Sequence, residues 1–447
     1  MRVLVVTHRF APALGGVETW AQELAEGLAS LGHQIVILTR TDGANGPSAA
    51  PHADRPYSAH DERRGDLRIR WVAQQHSDEQ HFTQSWNNPT MRTIAAEALR
   101  DFTPDVVHIA HNDGWGVGPF RAADEAGLPV VVTLHDYKWI CARGQMIRPG
   151  GDRCTSVKEE LCVRCIDRQL TPVPARGLLR RVLGQRGRTA LGHRDELRVV
   201  ENRPDPGPPA RGLWRRRQRG LMAALGGADR VTSPSQFVAD RLKAAGLVRE
   251  VLVIQNGSGP ASSEDDLPLH PPASPRGPLR IGVFGRPHPT KGIDFLISAF
   301  VALPVGAAEL HLHGAVTSDL AEPPPPGVFV HGRYTPEEVA SRMAGVDLVA
   351  IPSLWDENHP MVACEAARAR RPLIVSDLGG LPELVQQGAS GWVVPAGAAE
   401  AWAEQLALLA ADPARVRRAG AAMKGPKSAA EMATDFVEIY SGIVGGS

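Results

Sequence analysis

The stretch 346–380 reads VDLVAIPSLWDENHPMVACEAARARRPLIVSDLGG and holds two strand candidates with one loop and one helix between them. Val346 to Pro352 is a short, nearly all-apolar run rich in β-branched residues, and Pro372 to Ser376 is another. Such runs suit strands buried on both faces of a parallel sheet. Pro360, a residue favoured at the first helical position, is expected to open the helix after Asn358 and His359. The backbone N–H groups of Met361, Val362 and Ala363 would then point out of the carboxyl edge of the sheet, where an anion can bind. Glu357 in the loop and Glu365 in the helix have seven residues between them and flank that pocket. A nucleotide sugar has phosphates for the helix end and hydroxyls for the carboxylates. An ordinary βαβ unit whose acid complements the helix dipole is the plainer reading of the same residues.

A chain of 447 residues, 43% hydrophobic, is too long for one compact core and suggests two domains. Lys+Arg and Asp+Glu balance at 49 each, which argues against nucleic acid as a partner. No run of about 18 apolar residues is present, and Met1-Arg2-Val3-Leu4 enters a strand at once, so the expected compartment is the cytoplasm.

Arg2 to Thr7 reads as the first buried strand and leads through RFAPALGGVE to a helix from about Val17 to Leu31. Gly15 and Gly16 at that turn let a ligand approach the backbone, although glycines there commonly serve geometry alone. Gln34 to Thr39, Arg68 to Ala73, Asp105 to Ala110 and Pro129 to Leu134 continue the strand series with helical patterns between several of them. The first half is therefore expected to be a doubly wound α/β domain with ligands beyond the carboxyl ends of its strands. Two polar clusters fall there: His111-Asn112-Asp113-Gly114-Trp115 and His135-Asp136-Tyr137. Asn112, Trp115 and Asp136 are candidates for contact with an acceptor, and a histidine after a strand is either structural or catalytic.

Four of the five cysteines, Cys141, Cys154, Cys162 and Cys165, follow with intervals of twelve, seven and two residues. Four thiolates satisfy tetrahedral Zn²⁺, with an iron–sulfur cluster as the second choice; redox pairing and four separate thiols are the other readings. Cys364 reads as a small buried residue. From Arg168 to Arg219 the chain is rich in arginine and lacks lysine, with Arg215-Arg216-Arg217 near its end. Its Pro and Gly content suggests a loop insertion followed by a helix from about Leu213 to Leu225. The basic segment would meet an anionic acceptor or a membrane surface, or form a solvated insertion.

Asp229 to Ser233 and Val251 to Gln255 are expected to close the first domain, at 1–257, and the Pro/Ser-rich 258–278 to link it to a second, at 279–427. That second domain opens with LRIGVFG, then Arg286-Pro287-His288-Pro289-Thr290-Lys291-Gly292 and an amphipathic helix. Arg286 and Lys291 flank a turn at a strand's carboxyl end, where two cations can neutralise a diphosphate leaving group. Glu309 to His313 and Val328 to His331 are further strands. The last helix, Ala429 to Val444 within 428–447, is long enough to pack back on the first domain.

Gly15-Gly16-Val17-Glu18, His135-Asp136, Gly285-Arg286 with Lys291-Gly292, and Glu357 followed by Glu365 come in an order and spacing that resemble the GT-B glycosyltransferases of retaining family 4, over nearly the whole chain. The resemblance implies two Rossmann-like doubly wound domains facing a cleft, with the donor mainly on the second and the acceptor mainly on the first. It implies that Glu365 holds the ribose and that Arg286 and Lys291 hold the diphosphate. Glu357, with the backbone at Pro360, Met361 and Val362, would meet the donor sugar, the Gly15-Gly16 loop would reach across to it, and His135 would touch it near the reacting centre. The cysteine cluster and the arginine-rich insertion depart from the family's minimal pattern. The implied reaction moves a sugar, of hexosyl or N-acetylhexosaminyl type, from a nucleoside diphosphate sugar to a hydroxyl or amine with retention. The acceptor would be a small molecule, a glycan or a lipid-linked group. No Asp-x-Asp motif stands at the diphosphate, so cations and a helix end are expected to replace a catalytic metal. A nucleotide-sugar epimerase or hydrolase and a binding protein without turnover are the rival readings.

Overall fold

A computed structural model describes residues 1–13, 15–41, 56–74, 82–166, 200, 203, 205–259 and 277–445. Most of the expected linker at 258–278 and much of the arginine-rich segment lie outside the described residues. The chain divides into two compact units: unit 1 is Met1–Pro234, Val238–Ile254 and Ala433–Ser447, and unit 2 is Ser235–Phe237 and Gln255–Met432.

Unit 1 is built on β1 (Arg2–Val6), β2 (Gln34–Thr41), β3 (Ala59–Arg64), β4 (Leu67–Ala73), β5 (Val106–Ile109), β6 (Val130–Thr133), β7 (Arg230–Ser233) and β8 (Val251–Val253). They form one sheet in the order β3-β4-β2-β1-β5-β6-β7-β8. Every neighbouring pair is parallel except β3 with β4. Val3, Leu4, Val5 and Val6 are buried, as the unbroken apolar run predicts for a strand covered on both faces. The helix Gly16–Ser30 buries Trp20, Leu24 and Leu28. From the last helix, Phe436 stacks edge-on to Trp20 at 5.8 Å, and the Tyr440 hydroxyl lies 2.6 Å from His108 Nδ1. Both residues belong to unit 1.

The edge strand β3, AHDERR, was not foreseen. It carries no apolar alternation; ion pairs hold it instead, with Asp61 accepting from Arg68 at 2.7 Å and from Arg70 at 2.7 and 2.9 Å. Glu62 accepts from the Trp71 indole at 2.8 Å. Charged residues on an edge also discourage pairing with another chain.

Unit 2 contains β9 (Leu279–Phe284), β10 (Ala308–His313), β11 (Val328–Val330), β12 (Leu348–Ile351), β13 (Leu373–Ser376) and β14 (Gly391–Val394). Their order is β11-β10-β9-β12-β13-β14, all parallel. The order reverses direction between β9 and β12, so the loops after these two strands meet at a switch point, the usual ligand position in such sheets. β14, GWVV, is the second strand that was not foreseen; it is only four residues long and is anchored by the buried Trp392. Strands this short hold through packing: each fully buried Val, Leu or Ile contributes roughly 1.5–3 kcal/mol.

Candidate active site

In unit 2, the loop after β9 turns at Lys291-Gly292 and the loop after β12 runs from Pro352 to Pro360. Gly292 has φ +69°, and a Cβ there would come within 2.0 Å of the Pro352 carbonyl oxygen, so the two loops pack at a distance that only glycine permits. The Leu354 N–H donates to the Thr290 carbonyl at 2.7 Å and seals the contact. On the other side Gly379, at φ +63°, lets the β13 loop press against Glu357, and the Gly380 N–H donates to the Glu357 carbonyl at 2.7 Å.

This clamp sets the charges. Glu357 is buried, and its Oε1 accepts from Lys291 Nζ at 2.6 Å and from the Ser353 hydroxyl at 2.8 Å. Lys291 Nζ also lies 5.7 Å from the Trp355 ring centroid. Arg286, in the loop after β9, is exposed. Glu365 lies in the helix Met361–Arg368; burial, and after it the nearby Glu365 carboxylate, pushes the Tyr334 phenol up. Phe284, whose ring meets Tyr334 at 6.2 Å, stacks on His313 at 4.6 Å. The structure thus brings Lys291 and Glu357 together, and it adds Ser353, Tyr334 and His313, which sequence reasoning missed. The pair of histidines at 311 and 313, on one face of a strand, was the available signal for the last of these.

The helix start differs from expectation. Pro360 has ψ 135° and is the N-cap rather than the first helical residue. The Ala363 N–H donates back to the Pro360 carbonyl at 2.9 Å, which leaves Met361 and Val362 as the leading donors.

In unit 1 the polar clusters after β1, β5 and β6 join. The His8 and His111 rings lie 4.1 Å apart, and His8 Nε2 stands 3.5 Å from Glu18 Oε1. Glu18 also lies against Gly15, where a Cβ would fall 2.3 Å from its Oε2. The Asp113 N–H donates to His111 Nδ1 at 3.1 Å, so in the neutral ring Nε2 carries the proton and points to Asp136 Oδ2, 3.1 Å away. Burial opposes charge on His111, but the Asp136 carboxylate, its hydrogen bond and Asp113 outweigh it and raise the pKa. Asp113 accepts from Lys138 Nζ at 2.8 Å and faces Arg40 at 3.9 Å. Despite burial, Lys138, His111 and Arg40 hold its carboxyl well below the usual range.

His135 is half-buried, edge-on to Trp20 at 4.2 Å. Shielding from water, with His111 and His108 beside it, holds its pKa well below the ordinary value, so the ring is neutral near pH 7. Asn112 is buried. Trp115 requires a correction: it is fully buried and its indole N–H donates to the Thr7 carbonyl at 2.9 Å, which makes it a packing residue with no edge for an acceptor.

The triple arginine also departs from a free basic patch. Arg217 is buried in the helix Gly207–Gly227 and donates to the Lys138 carbonyl, while Gln218 donates to the Ile140 carbonyl at 2.8 Å. Arg215 grips Glu159 through two contacts of 2.7 Å. Among the described residues no helix is long and apolar enough to cross a membrane. The four clustered cysteines line one cavity of about 30 Å³ and carry no disulfide. Burial first, and then the other sulfurs of the cluster, push Cys162 up to about 12. Among the described residues no three His, Cys, Asp or Glu side chains are placed to hold a metal ion. Cys364 is buried, as expected.

Sequence profiles of two families match the chain: "Glycosyl transferase 4-like domain" over residues 15–257 and "Glycosyl transferases group 1" over 278–412. A GDP-mannose-dependent alpha-mannosyltransferase of Mycobacterium tuberculosis is 25% identical over 404 residues, 89% of this chain and 84% of that protein. A D-inositol 3-phosphate glycosyltransferase of Rhodococcus opacus is 32% identical over 161 residues, which span 32% of this chain and 35% of the relative. Among solved structures, a sucrose-phosphate synthase from Thermosynechococcus elongatus superposes with TM-score 0.64 at 18% identity, covering 100% of both chains. Anabaena HepE, solved with UDP and glucose, superposes with TM-score 0.60 at 17% identity over 98% of this chain and 99% of that one. The two parallel α/β sheets are thus those of the GT-B fold, and the chain belongs to the family 4-type glycosyltransferases.

Proposed function

We propose that the protein is a retaining transferase that moves a sugar from a nucleoside diphosphate sugar to an acceptor hydroxyl or amine, with unit 2 holding the donor. The contact between Lys291 Nζ and Glu357 Oε1 at 2.6 Å carries this reading. It joins a cation suited to a diphosphate with a carboxylate suited to sugar hydroxyls, and it lies where the loops after β9 and β12 are locked together. On donor binding Lys291 would turn from Glu357 to the diphosphate, beside Arg286, and Glu357 would accept from the sugar hydroxyls instead. Cationic side chains and the N–H groups of Met361 and Val362 would stabilise charge on the leaving diphosphate. Glu365 would hold the ribose. For retention we favour departure and attack on the same face, with the diphosphate oxygen taking the acceptor's proton. Neutral His135 would contact the donor sugar, and Asp136 and Asn112 the acceptor.

The mannosyltransferase relative makes GDP-mannose the first donor to test, against UDP-glucose and ADP- and TDP-sugars. The true donor should raise the melting temperature by mass action while the others leave it unchanged. Nucleoside diphosphate should then appear only when an acceptor is added, and the product should keep the donor's anomeric configuration. Release without acceptor would favour a hydrolase; stabilisation with no release under any acceptor would favour a binding protein.

A further inference from the structure

Cys141 and Cys154 bracket a small loop folded on itself, with an antiparallel bridge between Ile147 and Arg153 and the Cys154 N–H donating to the Met146 carbonyl at 2.7 Å. Cys162 and Cys165 lie three apart on the helix Glu159–Cys165, hence on one face. All four line the same cavity of about 30 Å³, large enough for an ion or one to two waters. The segment also buries Tyr137, Trp139, Ile140, Met146 and Ile147. Its own buried apolar cluster is Val163, Ile166, Ala210 and Trp214, with Cys162 and Cys165 packed against it. Four unoxidised thiols around one cavity are the composition of a structural metal site.

We propose that Cys141, Cys154, Cys162 and Cys165 bind one Zn²⁺ as thiolates, and that the ion fixes the segment following Asp136 and Lys138. Metal entry displaces the thiol protons to solvent, and the ion draws the two loop cysteines toward the pair fixed on the helix. A tetrathiolate site carries two net negative charges. Arg143, Arg148 and Lys158, which line the cavity, and the buried Arg217 are nearby cations able to balance them. Arg217 also supplies the link to the polar cluster of unit 1, since it donates to the Lys138 carbonyl and Lys138 Nζ holds Asp113 at 2.8 Å. A closed four-sulfur site leaves no position for substrate, so the ion is structural.

Full-length protein purified without chelator should contain about one zinc per chain by elemental analysis. A mercurial thiol reagent should release that zinc in step with modification of the cluster, read with a chromophoric chelator. Cys154→Ser, a single change in the loop, should lose most of the zinc, and amide exchange should quicken at 137–148 while strands β9 to β13 keep their protection. If Cys154→Ser does not fold, zinc release from the parent protein still decides the matter. Metal-free native protein, iron with sulfide, or a disulfide within the cluster would each overturn the proposal.

Discussion

Lys291 and Glu357 meet through a single contact at 2.6 Å, at a place where the lysine side chain is 41% exposed. In unit 1 Asp113 is held by Lys138 and Arg40, His111 by Asp136 and the Asp113 N–H, and His8 by packing against the tilted His111 ring. In the unit 2 pair the partly exposed Lys291 can turn to an anionic ligand, while the buried Glu357 keeps its hydrogen bond from Ser353 and needs a new donor, such as a sugar hydroxyl. Opening the unit 1 network would strand several shielded charges at once, which is costly. In the proposed reaction Lys291 changes partner from the water's edge, whereas the unit 1 charges are cross-linked to one another.

The strongest way to break this contrast is to remove the exchangeable cations. Arg286→Ala and Lys291→Ala should each lower turnover about 100-fold or more while the protein stays folded, because each removes charge stabilisation of the leaving diphosphate. Near-normal rates in both single variants would remove the diphosphate site from unit 2.

The two glutamates divide more finely. Glu365→Ala should mainly weaken donor and free nucleotide binding, since a ribose contact is equal in ground and transition states. Glu357→Ala should depress turnover more than nucleotide affinity. Titration calorimetry beside steady-state kinetics separates them, and the reverse pattern would exchange their roles.

Acid sensitivity probes the buried side with the smallest expected effect. Burial holds His8, His108 and His135 in unit 1 and His313 and His359 in unit 2 below the ordinary value, with His108 and His313 at about 3 and His359 at about 4. These rings stay neutral in the fold while the unfolded chain takes up protons as pH falls through about 6.5, so stability is lost on that descent. His111 is shifted upward and works in the opposite sense. Urea unfolding should therefore weaken from pH 7.5 to 5.5, and His111→Asn should make the decline steeper. A flat profile in the parent protein would show that these histidines are solvated.

The strand at Val346–Pro352, the loop with Glu357 and the helix with Glu365 were legible because periodicity, Pro360 and chain adjacency are local properties. Cys162 and Cys165 were readable as a pair for the same reason. Lys291 and Glu357 could each be placed at a strand's carboxyl end, but their contact depends on the neighbouring order of β9 and β12 and on Gly292 meeting Pro352. Ser353 and Tyr334 carried no local mark. Trp115 was misread because an aromatic residue in a polar loop looks the same whether it faces solvent or fills the space behind Thr7. β3 escaped because charge pairs across strands, rather than apolar alternation, hold it in the sheet. The sequence by itself determined the βαβ rhythm and the chemical kinds of the site residues, since these follow from spacing along the chain. The tertiary structure alone decided which charges are paired: Coulomb and hydrogen-bond energies fall off with distance in space, and His8, Arg40, His111 and Asp136 are brought together only by the order of strands in the sheet.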